Sequence, residues 1–239
     1  AIINNCWVLE QMRKLIPGGL LSHWRGDADT IFGNVLMPDS VRLYDAEKFG
    51  CMVSVGNSEI GLRRIYTEPS AFRAICVNGC IHQQDKGDAL NRKHVGEINL
   101  DQLAADIATN IHNQVPLIPG IIDTILGTRQ YKFPKNAVIR TIAVLFDEIG
   151  LNKSNSVGYF DALKKEGECG TEQDSLFYLM QGITRYSQTL PPDQWVDLDR
   201  AAGELSRFNS TKWDKFLKKV EATDDKEVAK KLGDIAHLA

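Results

Sequence analysis

Apolar positions change their spacing along this chain near residue 100. Before it, residues 2–15 place Ile2, Ile3, Cys6, Leu9 and Met12 at helical intervals, and Pro17-Gly18-Gly19 predicts the end of that helix. The stretches 30–37 (TIFGNVLM) and 49–56 (FGCMVSVG) are β-rich and bounded by Gly, Asp and Pro, which predicts neighbouring strands with 38–48 connecting them. Residues 63–66 and 71–81 are further β-prone segments, and the polar, Gly-containing run from Gln83 to Arg92 reads as an exposed loop. After residue 100 the period becomes helical. Asp101 is placed to cap a helix whose Leu103, Ile107 and Ile111 share one face. Helical patterns follow at 118–127, 135–149, 156–167, 172–190, 193–208, 211–221 and 224–238.

Strands first and helices afterwards predict an α+β fold. Its expected organisation is a β-rich half over 1–98, a helical region of the same domain over 99–208, and a C-terminal helical extension over 209–239. No fixed-period repeat is present.

Charge narrows the functional classes. The 239 residues carry 28 Lys+Arg against 31 Asp+Glu, a formal net charge of −3. Residues 1–98 hold 11 basic and 11 acidic side chains, and the remainder 17 against 20, so neither half is basic as a whole. A binder relying on bulk charge is excluded, and any nucleic-acid site must be local. Five scattered cysteines suit reduced thiols better than a disulfide framework. The N-terminus lacks a signal-peptide pattern, and no apolar run approaches the ~20 residues of a membrane span. The expected setting is the cytoplasm of a bacterial host cell, without membrane association.

Several candidates for chemistry stand out. Cys76, Cys80 and His82 lie within seven residues, but a second ligand pair at zinc spacing is missing, so Cys76 reads as a buried apolar side chain and no metal is expected. Phosphate loops, nucleophile elbows and H-E-x-x-H are absent, and no cofactor is expected. Glu59, in the turn Gly56-Asn57-Ser58-Glu59-Ile60-Gly61, has two readings: an acid–base group, or a turn carboxylate that accepts backbone N–H bonds or pairs with Arg63. His94, beside Arg92 and Lys93, is the other candidate for proton transfer.

Basic side chains gather in two places. Between Asp123 and Asp147 no acid occurs, while Arg129, Lys132, Lys135 and Arg140 are interleaved with Tyr131 and Phe133. Cations that track phosphates, next to rings that stack on bases, are the usual single-strand platform. The second cluster is Arg63, Arg64, Arg73, Lys86, Arg92 and Lys93. Lys212, Lys215, Lys218 and Lys219 are offset by Asp214 and Glu221 and read as a solvated helix face.

Five motifs occur in a familiar order: NSEIG at 57–61, FRAICVNG at 72–79, HVG at 94–96, QGITR at 181–185 and RAAGEL at 200–205. Together they resemble the phage/plasmid-like family of YafZ/YfjQ-type prophage proteins, a family of unknown function, over roughly residues 30–208. Gln181-Gly182 depart from the Asn-Ala common there, and Cys80 follows Gly79. The resemblance implies a mobile-element setting among DNA-metabolism genes and supplies no catalytic residue. The candidate residues and this setting together leave three expectations. One is a non-catalytic single-stranded-DNA binder of recombination or replication that self-associates as annealing proteins do. Another is an enzyme acting on nucleotides or nucleic acid through Glu59 and His94. The last is a phage protein that inhibits a host protein partner.

Overall fold

The computed structural model describes residues 2–27, 29–44, 47–74, 78–82 and 90–233, with the backbone alone for His23, residues 78–82, Pro192 and Asp193. It is an α+β protein of two compact units, Ala1–Ile122 and Asp123–Ala239.

The first unit opens with helix α1 (Asn5–Leu15) and continues through strands β1 (Leu20–Gly26), β2 (Thr30–Leu36), β3 (Arg42–Tyr44), β4 (Glu47–Ser58), β5 (Ile65–Arg73), β6 (Asn78–His82) and β7 (Leu90–Arg92) to helix α2 (Leu100–Gln114). All pairings are antiparallel, in the order β1-β2-β4-β5-β6. The long β4 shares one edge between β2 and β3, and β5 shares its outer edge between β6 and β7. On one face of the sheet Ile31, Val35, Val53, Val55 and Ile65 meet Val8 and Met12 of α1 and Leu103, Ile107 and Ile111 of α2. Burial of such side chains contributes roughly 1.5–3 kcal/mol each. Because α2 shares this core, the division between units falls after it and not at residue 98. Its N-cap is Asn99, whose side chain accepts from Asp101 and Gln102 N–H, two residues before the expected Asp101.

The opposite side-chain row of the sheet carries buried polar groups. Ser54 Oγ donates to Asn34 Oδ1 at 2.6 Å and lies 3.4 Å from Ser70 Oγ. Asn34 pairs with Ser54 in the β2–β4 register, so a slip of one residue would bury these groups without partners. The hydroxyls and amide thereby fix the alignment of three strands.

Strands β1, β3 and β7 fall where no strand is expected from the sequence. The β1–β2 register shifts between Ser22 and Arg25, which breaks the period-two pattern. Both β3 and β7 are three-residue strands in polar surroundings, too short for a periodicity to develop.

In the second unit, helices α3 (Ile118–Gly127, begun in the first unit), α4 (Val138–Ile149), α5 (Ser156–Glu168), α6 (Leu176–Ser187), α7 (Pro192–Ser206), α8 (Ser210–Ala222) and α9 (Asp225–Leu232) follow the expected segments. The buried ring of Tyr159 lies edge-on to Phe146 and Tyr186, with centroids at 5.4 and 6.5 Å. Asp199, fully buried, accepts from Ser187 Oγ at 2.6 Å and Trp195 Nε1 at 2.7 Å. Residues 210–232 pack inside this unit. Trp213 stacks on Phe216 and donates to Lys132 O, and Ser156 Oγ donates to Leu232 O.

Candidate nucleic-acid interface

The N-S-E turn at the end of β4 is held by a network of hydrogen bonds. Asn57 is buried and its Nδ2 donates to Ile3 O at 2.8 Å and to Asn5 Oδ1 at 2.7 Å. Glu59 Oε1 accepts the Asn5 N–H at 2.6 Å, while Asn4 Oδ1 accepts from Cys6 and Trp7 N–H. Three free donors of the first turn of α1 are thereby satisfied, and the carboxylate lies at the positive end of the helix. Of the two readings of Glu59, the structure displays the turn carboxylate that accepts a backbone N–H.

His94 lies beside this turn: a methyl group on Gly61 would come within 3.8 Å of its Cβ. Burial disfavours its charged form and lowers its pKa. The unfolded chain therefore binds this proton more readily, so the contribution to stability is complete above about pH 6.5 and is lost as the pH falls through the lowered folded value. The expected result is a denaturant midpoint that drops between pH 7.5 and 5.5 by more in the parent than in His94→Gln; an identical drop would remove His94 as the cause.

The first basic cluster is assembled by strand register. Ile65 pairs with Arg92, Tyr66 with Asn91 and Thr67 with Leu90. The next positions outward are Arg64 and Lys93, both exposed, with the half-buried Arg63 adjoining. Two separate stretches of sequence thus deliver Arg63, Arg64, Arg92 and Lys93 to one corner of the sheet. Arg92 Nη1 is 3.3 Å from Asp106 Oδ2 on α2. Like charges across a strand pair are unfavourable, and an anion at the corner relieves them. Acids also lie near this end of the sheet, Asp106 of α2 among them. Asp27 and Asp29 lie in the β1–β2 turn, which the Glu59 N–H joins through Asp29 O, and Glu97 follows His94 in an exposed loop.

Arg73 does not belong to this group. Only 2% exposed, it donates through Nε to Glu47 Oε2 at 2.9 Å and through Nη2 to Glu47 Oε1 at 2.8 Å. A guanidinium used bidentately in the interior cannot also hold a phosphate, which corrects its assignment as a nucleic-acid contact.

The second cluster is altered more. Phe133 is 3% exposed and presents no face to a base, so its stacking role is withdrawn. Tyr131 packs against Trp213 at 5.8 Å, and backbone bonds from Phe133 N–H to Asp174 O and from Leu176 N–H to Tyr131 O fasten the segment to residues 174–176. Lys132 Nζ is paired with both Glu172 and Asp174. Burial works against its charge, but those hydrogen bonds outweigh it and hold its pKa above the usual lysine value. Arg129 sits 4.7 Å over the Phe177 ring. Lys135 and Arg140 are exposed.

Lys86 and Cys76, and the side chains of Cys80 and His82, lie outside the described residues. Among the described residues no group of three or more His, Cys, Asp or Glu could hold a metal ion, and no helix is long and apolar enough to cross a membrane. Comparisons with family models, curated proteins and solved structures returned no match.

Proposed function

We propose that this chain binds nucleic acid, single-stranded DNA in the first place, through the β5–β7 corner of its first unit. The observation that carries the proposal is the register Ile65↔Arg92, which collects four cations from residues 63–64 and 92–93 at one place. Arg64 and Lys93 are the exposed phosphate contacts, and Arg63 and Arg92 flank them. A role in mobile-element recombination or replication follows from the family resemblance and belongs to the proposal in the same sense.

Glu59 and Asn57 act in this reading as structural groups that seat α1, so the binder is non-catalytic. The test is fluorescence anisotropy with a labelled oligodeoxythymidine over a salt series. Four phosphate contacts on a single strand give a slope of log K against log salt of about −3, and Arg64→Ala with Lys93→Ala makes it shallower by about 1.4. A flat salt response, or no binding at about 50 mM salt, overturns the proposal.

A further inference from the structure

The basic corner also carries unpaired apolar surface. Ile60, Leu62 and Val95 are 57%, 78% and 71% exposed. Single exposed aliphatic residues are common on folded proteins and require no explanation. These three are clustered. Ile60 and Leu62 occupy the β4–β5 turn, Val95 occupies the loop after β7, and the two segments meet where Gly61 faces His94. Apolar and basic positions are interleaved in both: Ile60-Gly61-Leu62-Arg63-Arg64 and Lys93-His94-Val95.

Resting on the nucleic-acid reading, we infer that Ile60, Leu62 and Val95 form a base-contacting surface, which makes the corner selective for unpaired strands over duplex. A duplex turns phosphates outward and keeps the faces of its bases stacked, so aliphatic tips between phosphate-binding cations meet no apolar partner on it. An unpaired strand offers base faces at the spacing of its own phosphates, and sequence-tolerant packing on them accompanies backbone contacts in single-strand grooves.

The same cations and aliphatics would also suit an anionic lipid surface. The distribution of acids favours the nucleic acid. Asp27 and Asp29 lie in the β1–β2 turn at this end of the sheet, where Thr30 pairs with Ser58, and Glu97 is near Val95. A flat membrane covering this end would press those carboxylates against like charge. A strand is a thread and can follow the β5–β7 side alone.

The experiment compares the parent with Ile60→Ser/Leu62→Ser/Val95→Ser, using one oligonucleotide single-stranded and as a duplex, and phosphatidylserine/phosphatidylcholine vesicles. All three positions are exposed, so the variant is expected to fold, as its thermal midpoint will show. The expected result is a single-strand preference of about tenfold or more in the parent and its loss in the variant, through weaker single-strand binding at an unchanged salt slope. Equal losses on single strand and duplex, or no loss on either, overturn the base-contacting role while leaving the nucleic-acid reading intact. Binding of the parent to neither nucleic acid overturns both. Vesicle binding that the variant loses, without a strand preference in the parent, overturns the inference in favour of lipid.

Discussion

Arg73→Met is expected to destabilise the first unit by about 3–5 kcal/mol, because it leaves the Glu47 carboxylate buried without its partner. The guanidinium is held by two hydrogen bonds at the end of β4 and β5, next to the Phe49↔Arg73 pair of the ladder. Methionine fills much of the same volume, so little of the loss comes from a cavity. The companion variant Arg73→Met/Glu47→Leu removes both charges and should recover most of the stability, since well-packed apolar replacements of buried pairs are often neutral. Urea unfolding of the parent, the single and the double variant gives the comparison. A single variant within about 1 kcal/mol of the parent would show that the pair is unimportant to folding.

Asn57→Ala is the second large effect, at about 2–4 kcal/mol. It removes two hydrogen bonds and leaves the Ile3 carbonyl and the Asn5 side-chain oxygen with a lost donor in the interior, besides opening a small void. Glu59→Gln behaves differently. The amide oxygen still accepts the Asn5 N–H, and only the charge at the positive end of α1 is lost, worth about 0.3–1 kcal/mol. Hydrogen exchange of the α1 amides distinguishes the two: Asn57→Ala should loosen the whole helix, Glu59→Gln only its first turn. Equal and small effects would mean that α1 is seated by its apolar face alone, through Val8 and Met12.

The helices were legible because their faces are regular. Leu103, Ile107 and Ile111 recur at the helical period, and all three are in the core. The central strands β2 and β4 were legible from β-rich runs between turn residues, whereas β5 runs unbroken through Thr67-Glu68-Pro69-Ser70, a polar stretch that separates two β-prone segments in the sequence. The site was less so, for a physical reason. The charge of Arg73 and the ring of Phe133 are properties of the residue type, whereas burial is a property of its partners, here Glu47 and the neighbouring segment of the second unit. Lys132 is similar: its charge is cancelled by Glu172 and Asp174, some forty positions away. The same long-range effect works in the other direction for Arg64 and Lys93, whose proximity is fixed by a register that no local pattern encodes. The aliphatic tips at 60, 62 and 95 had a visible signal, apolar residues within turns, but acquire meaning only when the two turns adjoin.

The β5 edge is divided between two short strands, so the four cations of the corner rest on unequal supports. Arg63 and Arg64 lead directly into β5, which pairs with β4 at eight positions from Phe49↔Arg73 to Gly56↔Tyr66. Arg92 and Lys93 depend on the three pairs of β7, assisted by the bond to Asp106. So short a ladder can open at a small fraction of the free energy that unfolds the sheet. The two pairs of cations therefore have unequal backbone support, and their mutual repulsion opposes the three pairs of β7. A polyanion bound as proposed would offset that repulsion, and its binding would then be linked to the pairing of β7.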